Sequence, residues 1–339
     1  MKVLKILGII VLVIIVLVVI LALIAPKGYN VERTIVINAP QEVVFRQVQL
    51  WRNWSAWSPW AEMDSTMKIT VEGIDGQPGS KYVWEGDPEN TGQGEMTNTG
   101  ITQNKEILYH LHFLVPWESE SDGWMRLSEA ASGVQAAWGF SGTYPMPMNI
   151  MLLFMNMEKM MAPDFDRGLQ LLKEISEAKA AKLASLESEI QQTNVPAKRY
   201  AAVRQEIKMT EIKEFFGASF ATIMEAAQTS GATINGAPAG LHYTWDEEKG
   251  VTDMAAAIPV RGKIEAENVT VVEIQKSIAL IINYQGPYEG IEMAHIALNM
   301  YVQKNGLTMK EPVMEEYLTG PDSEPDPSKW LTQVIYLIE

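Results

Sequence analysis

The sequence has 339 residues, 47% hydrophobic and 20% charged, which is an ordinary composition for folded domains. Its net charge of -15 argues against nucleic-acid binding, because that affinity depends on Lys and Arg neutralising phosphates. The lack of cysteine excludes disulfides, thiolate metal sites and cysteine nucleophiles.

The first segment, about residues 6–25, reads ILGIIVLVIIVLVVILALIA and carries no charge. At about 1.5 Å per residue, a helix of this length spans a hydrocarbon core of roughly 30 Å. A cleaved signal peptide is the alternative, but its apolar stretch is normally shorter, and LALIAPKG is a poor cleavage site. We therefore expect residues 1–28 to form a single-pass membrane anchor. Positive charges before the helix slightly outnumber those after it, which predicts that the soluble domains lie on the non-cytoplasmic side.

Residues 29–178 alternate between strand and helix patterns typical of one α+β domain. A strand-like run, VERTIVI, precedes a helix that begins at Ala39-Pro40. Several runs with strand character follow, among them MKITVEG, KYVWEG, ILYHLHFLV and GVQAAWGFSG. The segment then ends in a long amphipathic helix, MAPDFDRGLQLLKEISEAKAAKL. This order predicts an antiparallel sheet with a long helix lying across it.

The stretches VERTIVINAPQEVVFRQV, WRNWSAWSPWAEMD, LHFLVPWESE and FDRGLQLLKE resemble the SRPBCC superfamily, the START-like or polyketide-cyclase type, in its membrane-anchored bacterial form. The resemblance implies a helix-grip fold, in which a curved sheet holds a C-terminal helix around an apolar cavity for hydrophobic ligands. The family shares no catalytic motif, so the resemblance predicts a fold rather than a reaction.

Residues 186–339, after a connection at 179–185, show an internal duplication. Pro238 and Pro312 are 74 residues apart, as are Tyr243 and Tyr317, and each half reads as strand, helix, strand, strand. The run IQQTNVPAKRYAAVRQEI before the first helix indicates paired strands. Two βαββ units related by a pseudo-twofold axis are expected to form a cleft between them.

This half resembles the GyrI-like family, also called the bacterial transcription activator effector-binding domain, through GPYEGI, DMAAAIPV and EEYLTGPDSEPDPSKWLTQV. The resemblance implies a cleft for small, often cationic and aromatic, molecules, with an acidic residue two positions before the motif tyrosine. Some GyrI-like proteins hydrolyse electrophilic compounds. The helix-turn-helix of the regulators is replaced here by the apolar segment and the START-like region, so direct DNA contact is not expected.

Two carboxylates, Glu315 and Glu316, precede Tyr317 in a strand-like run. Alternation places Glu315 and Tyr317 on one face, but it does not say which face is buried. Alignment of the repeats sets Leu241 against Glu315, and Leu241 shares the face of Tyr243. The pseudo-symmetry therefore predicts that Glu315 points inward.

An inward carboxylate in an aromatic cleft has three interpretations. As a charge it pairs with a cationic ligand that stacks on Tyr243, Trp245, Tyr284 or Tyr317. With its pKa raised by burial, Glu315 is a general acid or base of a hydrolase, with Tyr317 orienting the reactants. The third interpretation is a structural carboxylate in a scaffold. We favour binding over hydrolysis.

Other residues are less informative. Trp57 belongs to a run of four tryptophans spaced by three, which either line the START-like cavity or pack in the core. His110 and His112 share a strand face without a third metal ligand, so no metal site is predicted. His295 is interpreted as an ordinary helix-face residue. No nucleotide or serine-hydrolase motif is present, and no cofactor is expected.

The sequence therefore predicts an α+β, membrane-anchored, two-domain protein that binds hydrophobic or cationic small molecules. A hydrolase acting through Glu315 and a non-catalytic scaffold are the alternatives.

Overall fold

The computed structural model describes residues 2–339, so Met1, the start of the predicted anchor, lies outside the described residues. The chain divides into two compact units, Met1–Ala180 and Ala181–Glu339. Both mix helices with antiparallel strands, as predicted. The helices are α1 (Lys2–Ile24), α2 (Gln41–Gln49), α3 (Trp51–Trp54), α4 (Pro59–Met63), α5 (Met157–Ser188), α6 (Ile212–Thr229) and α7 (Glu292–Asn305).

The N-terminal helix α1 is long and apolar enough to cross a membrane over Val3–Ile24, with a mean hydropathy of 3.8. Its 23 residues correspond to about 34 Å at the helical rise of about 1.5 Å per residue. A signal sequence near an N-terminus meets the same criteria, so length and composition alone do not separate the two.

The first unit contains one seven-stranded antiparallel sheet, in the order β1-β7-β6-β5-β4-β3-β2. The strands are β1 (Gly28–Ile37), β2 (Lys68–Glu72), β3 (Lys81–Glu85), β4 (Gln93–Thr102), β5 (Glu106–Val115), β6 (Ser119–Ala130) and β7 (Gly133–Thr143). All four quoted strand-like runs form strands, while β4 and β6 alternate too weakly in sequence to stand out.

The core of this sheet is aromatic and includes α5. Phe165 of α5 stacks on Phe140, with ring centroids 5.5 Å apart, and lies 4.3 Å from Trp138. Leu169 and Leu172, one and two turns further along α5, are buried in the same cluster. The long amphipathic helix therefore buries its apolar stripe on the sheet, as its spacing predicts.

The second unit contains one nine-stranded sheet. Its strands are β8 (Gln191–Val195), β9 (Lys198–Lys208), β10 (Thr233–Ile234), β11 (Ala239–Asp246), β12 (Val251–Arg261), β13 (Thr270–Ile274), β14 (Ser277–Gln285), β15 (Met309–Thr319) and β16 (Leu331–Ile338). The main path runs β13-β9-β12-β11-β15-β16-β14-β8, and β10 pairs with β12.

This strand order shows the duplication directly. The repeats, β9-α6-β11-β12 and β14-α7-β15-β16, meet where β11 pairs with β15. The prediction that β8 pairs with β9 is wrong: β8 pairs with β14 of the second repeat, and β13 pairs with β9 of the first. The strand that precedes each repeat therefore pairs with the other repeat. The two-residue link Pro196-Ala197 between β8 and β9 does not reveal this exchange.

The two faces of this sheet have separate cores. One face packs against α6 through Ile223 and Ala226. The other face buries many small residues, with Tyr200 and Leu241 fully buried among them. Neighbouring residues on a central strand consequently enter different environments.

Candidate functional site

Glu316 is buried and Glu315 is largely buried, and they lie on opposite faces of β15. Their side chains are 12% and 6% exposed, respectively. Successive side chains of a strand point to opposite faces, so the two carboxylates occupy separate sites. The prediction of a single inward carboxylate is thus incomplete.

Glu315 contacts two histidines and a tyrosine. His295 Nε2 lies 2.8 Å from Oε1, and the Tyr317 hydroxyl donates to Oε2 over 2.8 Å. His242 Nε2 lies 3.6 Å from Oε1, which is an ion-pair distance but too long for a hydrogen bond. This buried nitrogen has no hydrogen-bond partner among the described residues.

The electrostatics of Glu315 are set by these neighbours. Burial alone would raise its pKa, but the attraction of His242 and His295, together with the hydrogen bond to His295, outweighs burial and holds the pKa well below its ordinary value of 4.5. Burial and the charge of Glu315 raise the pKa of Tyr317 well above its ordinary value. Glu315 is therefore a fixed negative charge, and Tyr317 is a fixed donor.

Half-buried aromatic rings surround this carboxylate. Tyr288 lies 5.4 Å from Tyr317 and 4.7 Å from Trp330, and Phe216 of α6 lies 5.7 Å from Tyr317. Both repeats contribute, because Phe216 belongs to the first and the other rings belong to the second. Side chains of both repeats therefore meet near Glu315, beside the pairing of β11 with β15.

Gly240 of β11 faces Glu315 directly across the sheet. A methyl group built on Gly240 would lie 2.9 Å from both the Phe216 ring and the Tyr317 hydroxyl. Such contacts are too close for an unmoved side chain, so Gly240 makes room for the aromatic rings beside the carboxylate.

The aromatic residues predicted to contact the ligand lie at different distances from Glu315. Thr332 of β16 pairs with both Tyr284 and Tyr317, so these three side chains form one row on the Glu315 face. The Tyr284 hydroxyl donates to the Pro287 carbonyl. Trp245 is 53% exposed and lies 6.2 Å from His242, which places it at the margin of the site.

Tyr243 does not join this cluster. It packs in the small-residue core on the opposite face, and the Arg204 guanidinium lies 3.4 Å from its ring centroid. A bulge between His242 and Thr244 shifts the register there. The repeat alignment of Leu241 with Glu315 is wrong because the two side chains lie on opposite faces: Gly240 pairs with Glu315, whereas Leu241 packs with Met314 and Tyr243.

Glu316 has a different set of partners on that opposite face. It accepts hydrogen bonds from Lys198 and from the Tyr200 hydroxyl, the latter over 2.8 Å. A lysine gives this carboxylate a permanent countercharge, so Glu316 fits the structural interpretation that the sequence had left open for Glu315.

Trp57 is a core residue. It is fully buried, donates to the Gln47 carbonyl over 3.0 Å and packs 5.1 Å from Trp138. Trp57 therefore packs within the aromatic cluster of the first unit. His110 and His112 pair with Asp122 and Glu118 instead of converging, and no cluster suited to a metal is found over residues 2–339.

Sequence reasoning missed His242, His295 and Tyr288 as site residues. The sequence patterns assign His242 no role in the site, and they indicate an ordinary helix-face residue at His295. A detectable signal existed for Tyr288, since it belongs to the GPYEGI motif that carries the family resemblance. The histidines become site residues only when β11 and α7 fold against β15.

Comparison with known proteins supports the assignment of the second unit. Residues 188–338, somewhat under half of the chain, match the GyrI-like small molecule binding domain, and these residues form such a domain. No curated protein sequence matches this chain.

Solved structures resembling this chain include the EcmrR C-terminal domain, with 18% identity, coverage of 44% of this chain and 96% of that one, and a TM-score of 0.40. Protein CV1439 from Chromobacterium violaceum has 16% identity, coverage of 45% and 99%, and a TM-score of 0.33. SAV2435 bound to tetraphenylphosphonium has 16% identity, coverage of 44% and 94%, and a TM-score of 0.35. These TM-scores are low, so the assignment of the second unit rests on the family match and not on the solved structures.

Proposed function

We propose that this chain is a membrane-anchored binding protein for small organic cations, with the ligand held at Glu315 in the GyrI-like domain. The observation that supports this most strongly is the pairing of Glu315: across residues 2–339 its ion pairs are both with histidines. A buried charge needs a partner, but an imidazole can give up its proton, whereas Lys or Arg would be a permanent competitor. The positive charge balancing Glu315 can therefore come from the histidines or from a ligand.

The aromatic surroundings select the ligand's chemistry. Tyr288, Tyr317, Trp330 and Phe216 offer ring faces and edges to an apolar body, and a cation over such a ring gains roughly 0.5–2 kcal/mol. A compact inorganic cation would leave these apolar surfaces unused. We infer that the ligand is a lipophilic organic cation with at least one aromatic or bulky apolar group.

Calorimetric titration of the chain from Tyr29 onward with tetraphenylphosphonium, and with triphenylphosphine oxide as a neutral counterpart, tests this proposal. Glu315→Gln should weaken cation binding roughly tenfold or more, since a charge-assisted contact contributes about 1.5–3 kcal/mol. Glu316→Gln is the matched control: an adjacent, buried carboxylate on the opposite face, expected to leave affinity unchanged once circular dichroism confirms folding.

The histidines supply a second readout. If the cation replaces a proton on His242 or His295, binding releases protons, and the heat in buffers of different ionisation enthalpy will reveal it. Proton release by the wild-type chain, absent in Glu315→Gln, supports the proposed exchange. Equal cation affinity in wild type and Glu315→Gln would refute Glu315 as the countercharge.

Hydrolysis by Glu315 remains the second hypothesis. A general acid or base works best with a pKa near the working pH. The histidines lower the pKa of Glu315, which moves it further from neutral pH. This favours a fixed countercharge over a proton-transfer group. Turnover of an electrophilic substrate that is lost in Glu315→Gln would reverse that preference.

The other parts of the proposal rest on the first unit. The sheet and α5 share one core, which supports the START-like assignment of residues 29–178, and the length of α1 supports the membrane anchor. Trp57 lies within that core, so we place the ligand site in the GyrI-like domain.

A further inference from the structure

A group of apolar side chains in the first unit is unusually exposed. Phe154 is 81% exposed, Trp117 is 68% exposed, and Met146 and Met148 are each 54% exposed. Single exposed apolar residues are common on soluble proteins, but a set of large ones at one place marks an interaction surface. We call Trp117, Met146, Met148, Met151 and Phe154 the apolar rim.

The strand pairing places this rim at the end of the sheet where α1 enters. Gly28, the first residue of β1, pairs with Thr143, the last residue of β7. Ser141 of β7 pairs with Asp122 of β6, so the beginning of β6 lies at the same end. The loop before β6 carries Trp117, and the segment after β7 carries the other four residues.

The segment after β7 is fixed to the end of α1. Asn149, in a short 3₁₀ helix (Met148–Leu153), is fully buried and donates from Nδ2 to the Ala22 carbonyl over 2.8 Å and to the Ala25 carbonyl over 3.3 Å. These carbonyls belong to the last turn of α1 and the residue just beyond it, which lack complete intrahelical pairing. The methionines and Phe154 are thus held beside the point where α1 ends.

We propose that the apolar rim inserts into the lipid interface around α1 and holds the first unit against the bilayer. This inference rests on the membrane anchor in the proposed function. Since α1 ends at Ile24, the headgroup region adjoins the rim, and Trp, Phe and Met side chains are suited to that boundary. A bilayer is preferred over a protein partner because the rim is continuous with the membrane helix.

The charges near the rim indicate which lipids suffice. Glu118 follows Trp117 and is 77% exposed, while Lys27 lies at the start of the sheet. These two charges of opposite sign form no basic patch for anionic lipids. Insertion should therefore occur as well in zwitterionic phosphatidylcholine as in membranes with anionic lipids.

Because the chain has no cysteine, single-cysteine labelling tests the proposal on the full chain. Leu153→Cys at the rim, Ile74→Cys at the opposite sheet edge and Leu12→Cys in α1 would each carry bimane in phosphatidylcholine nanodiscs. Leu153 and Ile74 are matched in exposure, at 40% and 42%. Spin-labelled lipids with the label near the headgroup or near the tail end then report depth.

We expect headgroup-side quenching about twofold or more stronger at Leu153 than at Ile74, since interfacial segments lie ~5–10 Å into the boundary. Phe154→Asp in the Leu153→Cys background should reduce that quenching, because it places a charge at the apolar boundary. Leu12 should be quenched by the tail-end label.

Quenching at Leu12 with Leu153 no different from Ile74 would overturn the rim while leaving the anchor intact. A Leu153 probe that is shielded from aqueous iodide but not quenched by lipid would show a protein occupant, and would also overturn the proposal. No quenching at Leu12 would remove the anchor and the rim together. Cation binding is measured on the chain without α1, so it stands or fails separately.

Discussion

At the scale of single residues, strand parity separates two adjacent glutamates into two roles. Glu315 faces histidines and half-buried aromatic rings, while Glu316 faces Lys198 and Tyr200. The chemistry of the two side chains is identical, so their roles follow from their partners alone. A permanent cation fits a structural pair, and a titratable partner fits a site that exchanges its counterion.

The lowered pKa of Glu315 gives a prediction for acid stability. A carboxyl whose pKa is lower in the folded than in the unfolded state stabilises the fold above the unfolded pKa. This contribution is lost as pH falls through the lowered, folded-state pKa, which lies below 4.5. Urea unfolding at several pH values should therefore show wild type losing its stability advantage over Glu315→Gln below pH 4.5.

The sign of this difference is the test. A gap between the two proteins that stays constant, or widens as pH falls below 4.5, would contradict a stabilising, depressed carboxyl at Glu315. Circular dichroism at neutral pH first establishes that both proteins fold alike.

At the scale of elements, the tryptophan run shows how a pattern with two interpretations is decided by packing. Trp51, Trp54 and Trp57 are almost completely buried, and each indole donates a hydrogen bond within the unit. Buried indoles with satisfied N–H groups belong to a core. The spacing by three residues allowed this outcome without requiring it.

Truncation of one of these rings predicts a large loss of stability. Trp57→Ala should lower the free energy of unfolding by about 3–5 kcal/mol, through lost burial and the cavity left behind. The matched control is Trp117→Ala, since Trp117 is 68% exposed and surface changes usually stay within about 0.5 kcal/mol. Similar losses for both variants in detergent-solubilised protein would contradict the core role of Trp57.

At the scale of the whole molecule, the organisation depends on α1 being retained. We predict that the full-length mass persists when the chain is expressed with membranes, and that detergent, but not alkaline carbonate, releases it. Intact mass spectrometry of the extracted protein checks this. A shorter chain beginning after residue 25, recovered without detergent, would identify a signal sequence instead.

Much of this organisation could be predicted because it depends on local patterns. The apolar run of α1, the stripe of α5 and the 74-residue repeat spacing are read directly from the order of residues. The exchange of β8 and β13 between repeats could not be predicted, because strand partners are chosen by long-range packing. Similarly, the repeat spacing treats Tyr243 and Tyr317 alike, but Tyr243 packs with Leu241 on the face opposite to Glu315, which only the strand pairing reveals.

The sequence by itself determined the classes of element, the duplication, the GyrI-like resemblance and the position of Glu315 two residues before the motif tyrosine. It did so because helix and strand periodicities, turns and repeats are properties of neighbouring residues. Only the tertiary structure decided that Glu315 pairs with His242 and His295 and that Glu316 pairs with Lys198. These partners come from elements far apart in the chain. Their charges come close together and are removed from water only when the sheet and helices have packed.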